Sequence, residues 1–130
     1  MDYSVTELQL ALLRVLWARS EATVAEVQEA LRPERELAAT TVATLLTRLA
    51  KRGLVRHRVE GRQYVYRAAV TEEAVQQAMA QEVAELFSGD VASLVSHLLS
   101  ARDVNAADLE RVKQLIAARE AELRGERGEG

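Results

Sequence analysis

Apolar positions along the chain keep a helical period, break into alternation once, and then return to the helical period. Up to about Arg19 they recur every three or four residues, with Val5, Leu8, Leu12, Val15 and Leu16 along one face and Leu10, Leu13 and Trp17 along another. Such a helix is buried on more than one side, and Trp17 reads as a core anchor. Ser4 followed by Glu7 is a capping box that would open it. After a short SEATV connection with room for a brief strand, Thr23 and Glu26 repeat the pattern before VAEVQEAL, where Val24, Val27 and Leu31 face inward and Pro33 closes the turn. The stretch from Ala38 to Val55 then sets Val42, Leu45, Leu46 and Leu49 at i, i+3, i+4 and i+7, a buried stripe. Opposite it lie Thr40, Thr41, Thr44, Thr47 and Arg48. Lys51 and Arg52 suit the negative end of the helix dipole, and Gly53 supplies the left-handed residue that stops the helix.

Past Gly53 the period falls to two. Leu54–Val59 and Tyr64–Arg67 are β-prone runs around Glu60-Gly61-Arg62, which predicts a hairpin with basic flanks and Arg62 at its tip. Helical spacing resumes at Thr71, a cap with Glu72 and Glu73 in the first turn. Val75, Met79, Val83, Leu86 and Phe87 mark one helix, ending near Ser88-Gly89. Asp90 would cap a second with Val91, Leu94, Val95, Leu98 and Leu99, and Asn105 a third with Leu109, Val112, Ile116 and Leu123. The polar, Gly-rich RGERGEG end reads as frayed. The fold class expected is mainly α with a small β-hairpin wing: a winged helix-turn-helix domain over 1–70, a helical dimerisation region over 71–124 and a disordered tail over 125–130.

Charge sharpens this division. The net charge is −3, but residues 1–70 carry 11 Lys/Arg against 8 Asp/Glu, whereas residues 71–130 carry 6 against 12. Between Arg48 and Arg67 seven basic residues meet one acid, Glu60, a local +6 that suits a phosphate backbone. The short hydroxyl face of the Thr-rich helix lets its backbone approach base edges closely. Candidate DNA contacts are therefore Thr40, Thr41, Thr44, Thr47, Arg48, Lys51, Arg52 and Arg62. The apolar faces of the acidic half lack a compact core of their own, which suggests burial against a second chain through Val75, Met79, Val83, Leu86, Phe87, Leu94, Leu98, Leu109, Val112 and Ile116. A winged-helix protein-binding adaptor is the competing expectation, since many such folds never touch DNA.

Other chemistry finds no residues to carry it. Cysteine is absent, which removes disulfides, thiolate metal sites and cysteine nucleophiles. No phosphate loop, HExxH or nucleophile elbow occurs, and His57 and His97 have no convergent ligands around them. Neither an enzyme, a cofactor nor a metal site is expected. No apolar run approaches the ~20 residues of a membrane span, and MDYSVTELQ has neither the basic start nor the apolar core of a signal peptide. The expected location is cytoplasmic, with no direct membrane association.

The order helix, helix, Thr-rich helix, basic hairpin, helical tail resembles the penicillinase-repressor family of winged-helix regulators over about residues 4–124. The most specific portions are TTVATLLTRLAKRGLV and GRQYVYRAAVTEEA, with SLVSHLL in the tail. The resemblance implies a homodimeric transcriptional repressor on a palindromic operator, touching double-stranded DNA through Thr41, Thr44, Arg48 and the wing around Arg62. Family members often have basic residues where this chain has Thr40 and Ala43. In the β-lactam branch a membrane-bound sensor protease triggers cleavage at an Asn-Phe bond in the dimerisation region; His97-Leu98 is the corresponding position here. The copper-responsive branch uses C-terminal cysteines, which this chain lacks.

Overall fold

The computed structural model describes residues 2–101 and 103–128, which divide after Leu86 into two compact units. The first holds helix α1 (Glu7–Arg19), strand β1 (Ala22–Thr23), helices α2 (Val24–Leu31) and α3 (Ala39–Lys51), strands β2 (Val55–Glu60) and β3 (Gln63–Ala68), and helix α4 (Glu72–Leu86). The strands form one antiparallel sheet in the order β1-β3-β2. Helices α1–α3 and a three-stranded sheet whose β2 and β3 form a hairpin make a winged helix-turn-helix, the fold class the periodicity predicts.

Local chemistry fixes most boundaries. Thr23 caps α2 reciprocally: its hydroxyl accepts the Glu26 amide at 3.2 Å while Glu26 accepts the Thr23 amide at 2.9 Å. That backbone bond, followed by the Thr23 hydroxyl, holds the Glu26 carboxyl below its ordinary value of 4.5. An acid with a lowered folded pKa stabilises above its unfolded pKa and loses that contribution as pH falls through the folded one, so the box weakens in acid. Thr23→Ala is expected to lower unfolding free energy by about 1 kcal/mol in a denaturant titration at pH 7.

The first helix departs from the Ser4–Glu7 expectation. Thr6 and Gln9 form the capping box, with bonds of 3.1 and 3.0 Å, and α1 starts at Glu7. Val5 is already buried, and Ser4 is drawn elsewhere, its hydroxyl to Glu82 and Met79 and its carbonyl to Arg52. At the end of α3 the Gly53 amide donates to Ala50 at 3.0 Å and the Leu54 amide to Leu49 at 2.9 Å. Gly53 takes φ +78° there, the left-handed stop its position predicts.

Leu12, Leu13, Leu16, Val27, Leu31, Val42, Leu46, Leu49, Leu54, Val55 and Tyr66 form the core. Trp17 packs against it and donates Nε1–H to the Val70 carbonyl at 2.9 Å. Val75 is only 1 % exposed in the same core, and Met79 packs against it. The first half of the region expected to dimerise is thus partly committed to the winged unit, which extends to Leu86 instead of ending at 70. The stripe divides along α4: Val75 and Met79 pack on the core, while Val83 and Leu86 remain exposed.

The second unit contains α5 (Val91–Ser100) and α6 (Ala106–Gly128). Asp90 caps α5 by accepting the Ser93 amide at 3.0 Å, and Asn105 caps α6 by accepting the Asp108 amide at 2.9 Å. Phe87 meets His97 edge-on, ring centres 5.5 Å apart. Helix α6 continues to Gly128, so residues 125–128 are helical where a disordered tail was expected; 129–130 lie outside the described residues. The run of good helix formers ahead of Gly125, with an Arg119–Glu122 ion pair of 2.9 Å, outweighs the roughly 1 kcal/mol that one glycine costs a helix.

Candidate nucleic-acid interface

Helix α3 is held by one face and open on the other. Val42, Leu46 and Leu49 are fully buried, while Thr40, Thr41, Thr44, Arg48 and Lys51 are exposed. Its first residue follows Ala38, which supplies no side-chain cap, so the first-turn amides lack the partner that α1 and α2 receive. A helix end of this kind favours anions.

Two expected contacts in α3 are engaged elsewhere. Thr47 donates its hydroxyl to the Ala43 carbonyl at 2.9 Å, and burial of the Tyr66 phenol beside it holds that group's pKa above the ordinary value. Arg52 is half-buried and fastens the N-terminal segment: it donates to the carbonyls of Ser4 and Asp2, the latter at 3.1 Å, and to Gln9 at 3.4 Å, with the Asp2 carboxylate 3.8 Å away. Arg52 is therefore a structural clasp in this fold. Its place at the C-cap of α3 carries no sign of that, because its partners lie more than forty residues earlier.

The wing is β2 and β3 joined by Gly61-Arg62, with Glu60 opposite Gln63. Gly61 has φ +63° and Arg62 a negative φ, the pattern of a two-residue hairpin with glycine first. Strand alternation sorts the hairpin into two faces. Arg56 and Arg58 share the outer face with their partners Arg67 and Val65. Arg58 is neutralised there by Glu21 at 2.8 Å and by Glu60, which together raise its pKa. The inner face carries Val55, His57 and Val59 with their partners Ala68, Tyr66 and Tyr64. His57 stacks on Tyr64 with ring centres 4.3 Å apart and lies 5.6 Å from Tyr66. This aromatic group was missed in the sequence, although a two-residue loop fixes the pairing that would reveal it.

Of the seven basic residues between Arg48 and Arg67, Arg52 and Arg58 are paired, whereas Arg48, Lys51, Arg56, Arg62 and Arg67 make no ion pair among the described residues. The electrostatic surface is weaker than the raw +6 and is concentrated on α3 and the hairpin.

Among the dimerisation candidates, Val83, Leu86, Leu98, Leu109 and Ile116 are exposed, with Leu86 at 79 %. Phe87, Leu94 and Val112 are half-buried, and only Val75 is taken wholly into a core. His97 and Leu98 are exposed within α5. Among the described residues, no three His, Cys, Asp or Glu side chains are grouped to hold a metal, and no helix is long and apolar enough to cross a membrane.

A family model described as penicillinase repressor matches residues 5–118. The methicillin resistance regulatory protein MecI of Mammaliicoccus sciuri is 19 % identical over 115 residues, which cover 88 % of this chain and 94 % of that protein. The transcriptional regulator BlaI of Mycobacterium tuberculosis is 52 % identical over 50 residues, 38 % of this chain and 36 % of that one. Among solved structures, the DNA-binding domain of the repressor BlaI superposes with a TM-score of 0.50 at 29 % identity, covering 55 % of this chain and 88 % of that domain.

Proposed function

The chain belongs to the penicillinase repressor family, whose members are DNA-binding transcriptional repressors and not enzymes, and we propose that it acts as a homodimeric repressor on an inverted-repeat operator. The observation that carries this reading is the α3 surface: exposed Thr40, Thr41, Thr44 and Arg48 on a helix locked by buried Val42, Leu46 and Leu49. Small hydroxyls on the approaching face admit the helix to the major groove, where they serve base edges and phosphates, while Arg48 and Lys51 neutralise the backbone. Arg62 projects from the wing toward a phosphate or the minor groove.

Two copies make the weak contact of one unit specific. Among the described residues, nine large hydrophobics after residue 80 are exposed in the single chain, Leu115 at 68 % among them. A second copy with the same faces would bury them and fix two α3 helices on half-sites related by the dimer axis. Derepression by a sensor protease at His97-Leu98 is part of the same reading. The bond lies inside α5, so a protease that binds extended substrate must first unwind that helix.

Arg48→Gln tests the α3 surface. Fluorescence anisotropy on a selected operator between 50 and 200 mM salt is expected to show weaker binding and a log–log salt slope smaller by about 1, with an unchanged melting temperature. Affinity and slope equal to wild type would remove α3 from the interface.

A further inference from the structure

Before residue 80 the exposed large hydrophobics among the described residues are two, Val59 at 66 % and Tyr64 at 49 %, and they are directly opposite each other on β2 and β3. They sit next to the Glu60–Gln63 pair that closes the hairpin, one residue from the Gly61-Arg62 loop. Their face is the one that bears Val55 and Tyr66, which lie in the core with Val42, Leu46 and Leu49 of α3. Along it, burial falls from Val55 and Tyr66, both packed in the core, to Val59 and Tyr64, which touch solvent. The single acid of the hairpin, Glu60, alternates onto the other face, where it engages Arg58. An apolar cross-strand pair at the end of a wing, on the side of the hairpin that turns toward the recognition helix and adjoining an unpaired arginine, is not explained by the core.

We propose that Val59 and Tyr64 form an apolar seat that packs on the deoxyribose wall of the groove beside the one α3 occupies, with the Tyr64 phenol donating to a phosphate oxygen. The inference rests on the DNA-binding reading and adds to it a contact of a different kind. Phosphate pairing by Arg48, Lys51 and Arg62 is electrostatic and salt-dependent; burial of a valine and a tyrosine ring is neither. Charge complementarity selects the occupant, since the seat adjoins Arg62 and an acidic backbone would satisfy both in one docking. The His57 ring, stacked on Tyr64, holds the phenol in place before binding, which reduces the ordering lost on association.

The test measures full-length Val59→Ser, Tyr64→Ser and Tyr64→Phe on a duplex selected by the wild-type protein, against Arg62→Gln, across a salt series. Tyr64→Ser and Val59→Ser are expected to weaken binding by about 10-fold and about 3-fold with the salt slope unchanged, and Tyr64→Phe by about 3-fold, the value of one hydrogen bond. Arg62→Gln is expected to lower the slope by about 1. Both positions are exposed, so melting temperatures should stay close to wild type. Serine variants within twofold of wild type, while Arg62→Gln still weakens binding, would overturn the seat and leave the DNA-binding reading intact. A slope that falls in Tyr64→Ser would also overturn it, because the tyrosine would then act by positioning Arg62. A wild-type protein with no salt-steep duplex binding would remove both.

Discussion

A fragment ending at Leu86 is expected to remain folded, to run as a monomer, and to bind an inverted-repeat operator about 10²–10⁴-fold more weakly than the full chain. Among the described residues the buried side chains end at Val75 and the core packing at Met79, so a cut after Leu86 leaves the core of the winged unit intact. What is lost is α5 and α6, where most of the exposed apolar side chains lie. Joining two half-site contacts turns the second into an intramolecular event, and its removal leaves one unit with modest affinity. The cut must come after α4. A fragment ending at residue 70 removes Val75 and Met79 from the core, and it would lose stability as well as avidity. Sedimentation together with anisotropy separates the two effects; a 1–86 fragment that dimerises or matches full-length affinity would place the avidity elsewhere.

Leu46→Ala is expected to produce the largest loss of stability among single substitutions in α3. Leu46 is 0 % exposed, on the turn between Val42 and Leu49 that ties the helix to the core. Truncating a fully buried leucine costs about 2–5 kcal/mol, transfer and cavity terms together, and for a unit of this size the melting temperature should fall on the order of 10–30 °C. The Thr face is untouched, so operator affinity measured well below the new transition should stay near wild type. Arg48→Gln should do the reverse, leaving the melting temperature and reducing affinity. A drop of only a few degrees in Leu46→Ala would mean that α3 is not anchored through this stripe.

What the sequence makes legible follows from how far each residue's partners lie along the chain. The Thr23–Glu26 box, the Gly53 stop, the Asp90 and Asn105 caps and the hairpin loop depend on neighbours within a few residues, and the structure has each of them. Ser4 and Thr6 both fit the same capping pattern, and the choice between them is tertiary: Val5 is needed in the core and Arg52 reaches back to the Ser4 carbonyl. Arg52 and Arg58 read as free cations because Asp2 and Glu21 are remote in sequence. Val75 read as an interface residue because an amphipathic stripe reveals that it is buried, not against what. The candidate interface is accordingly smaller than the local pattern suggests. Thr40, Thr41, Thr44, Arg48, Lys51 and Arg62 keep their place in it, whereas Thr47 and Arg52 have structural partners.

The measurement that bears most directly on the account is selection of duplexes from a random pool by the full-length protein, followed by affinity for the enriched sequence as salt is raised. The account predicts enrichment of an inverted repeat, its half-sites about one helical turn or a multiple apart, bound with a steep loss of affinity in salt. A pool that stays random, with only weak salt-sensitive association, would contradict it and leave a basic winged surface suited to an adaptor.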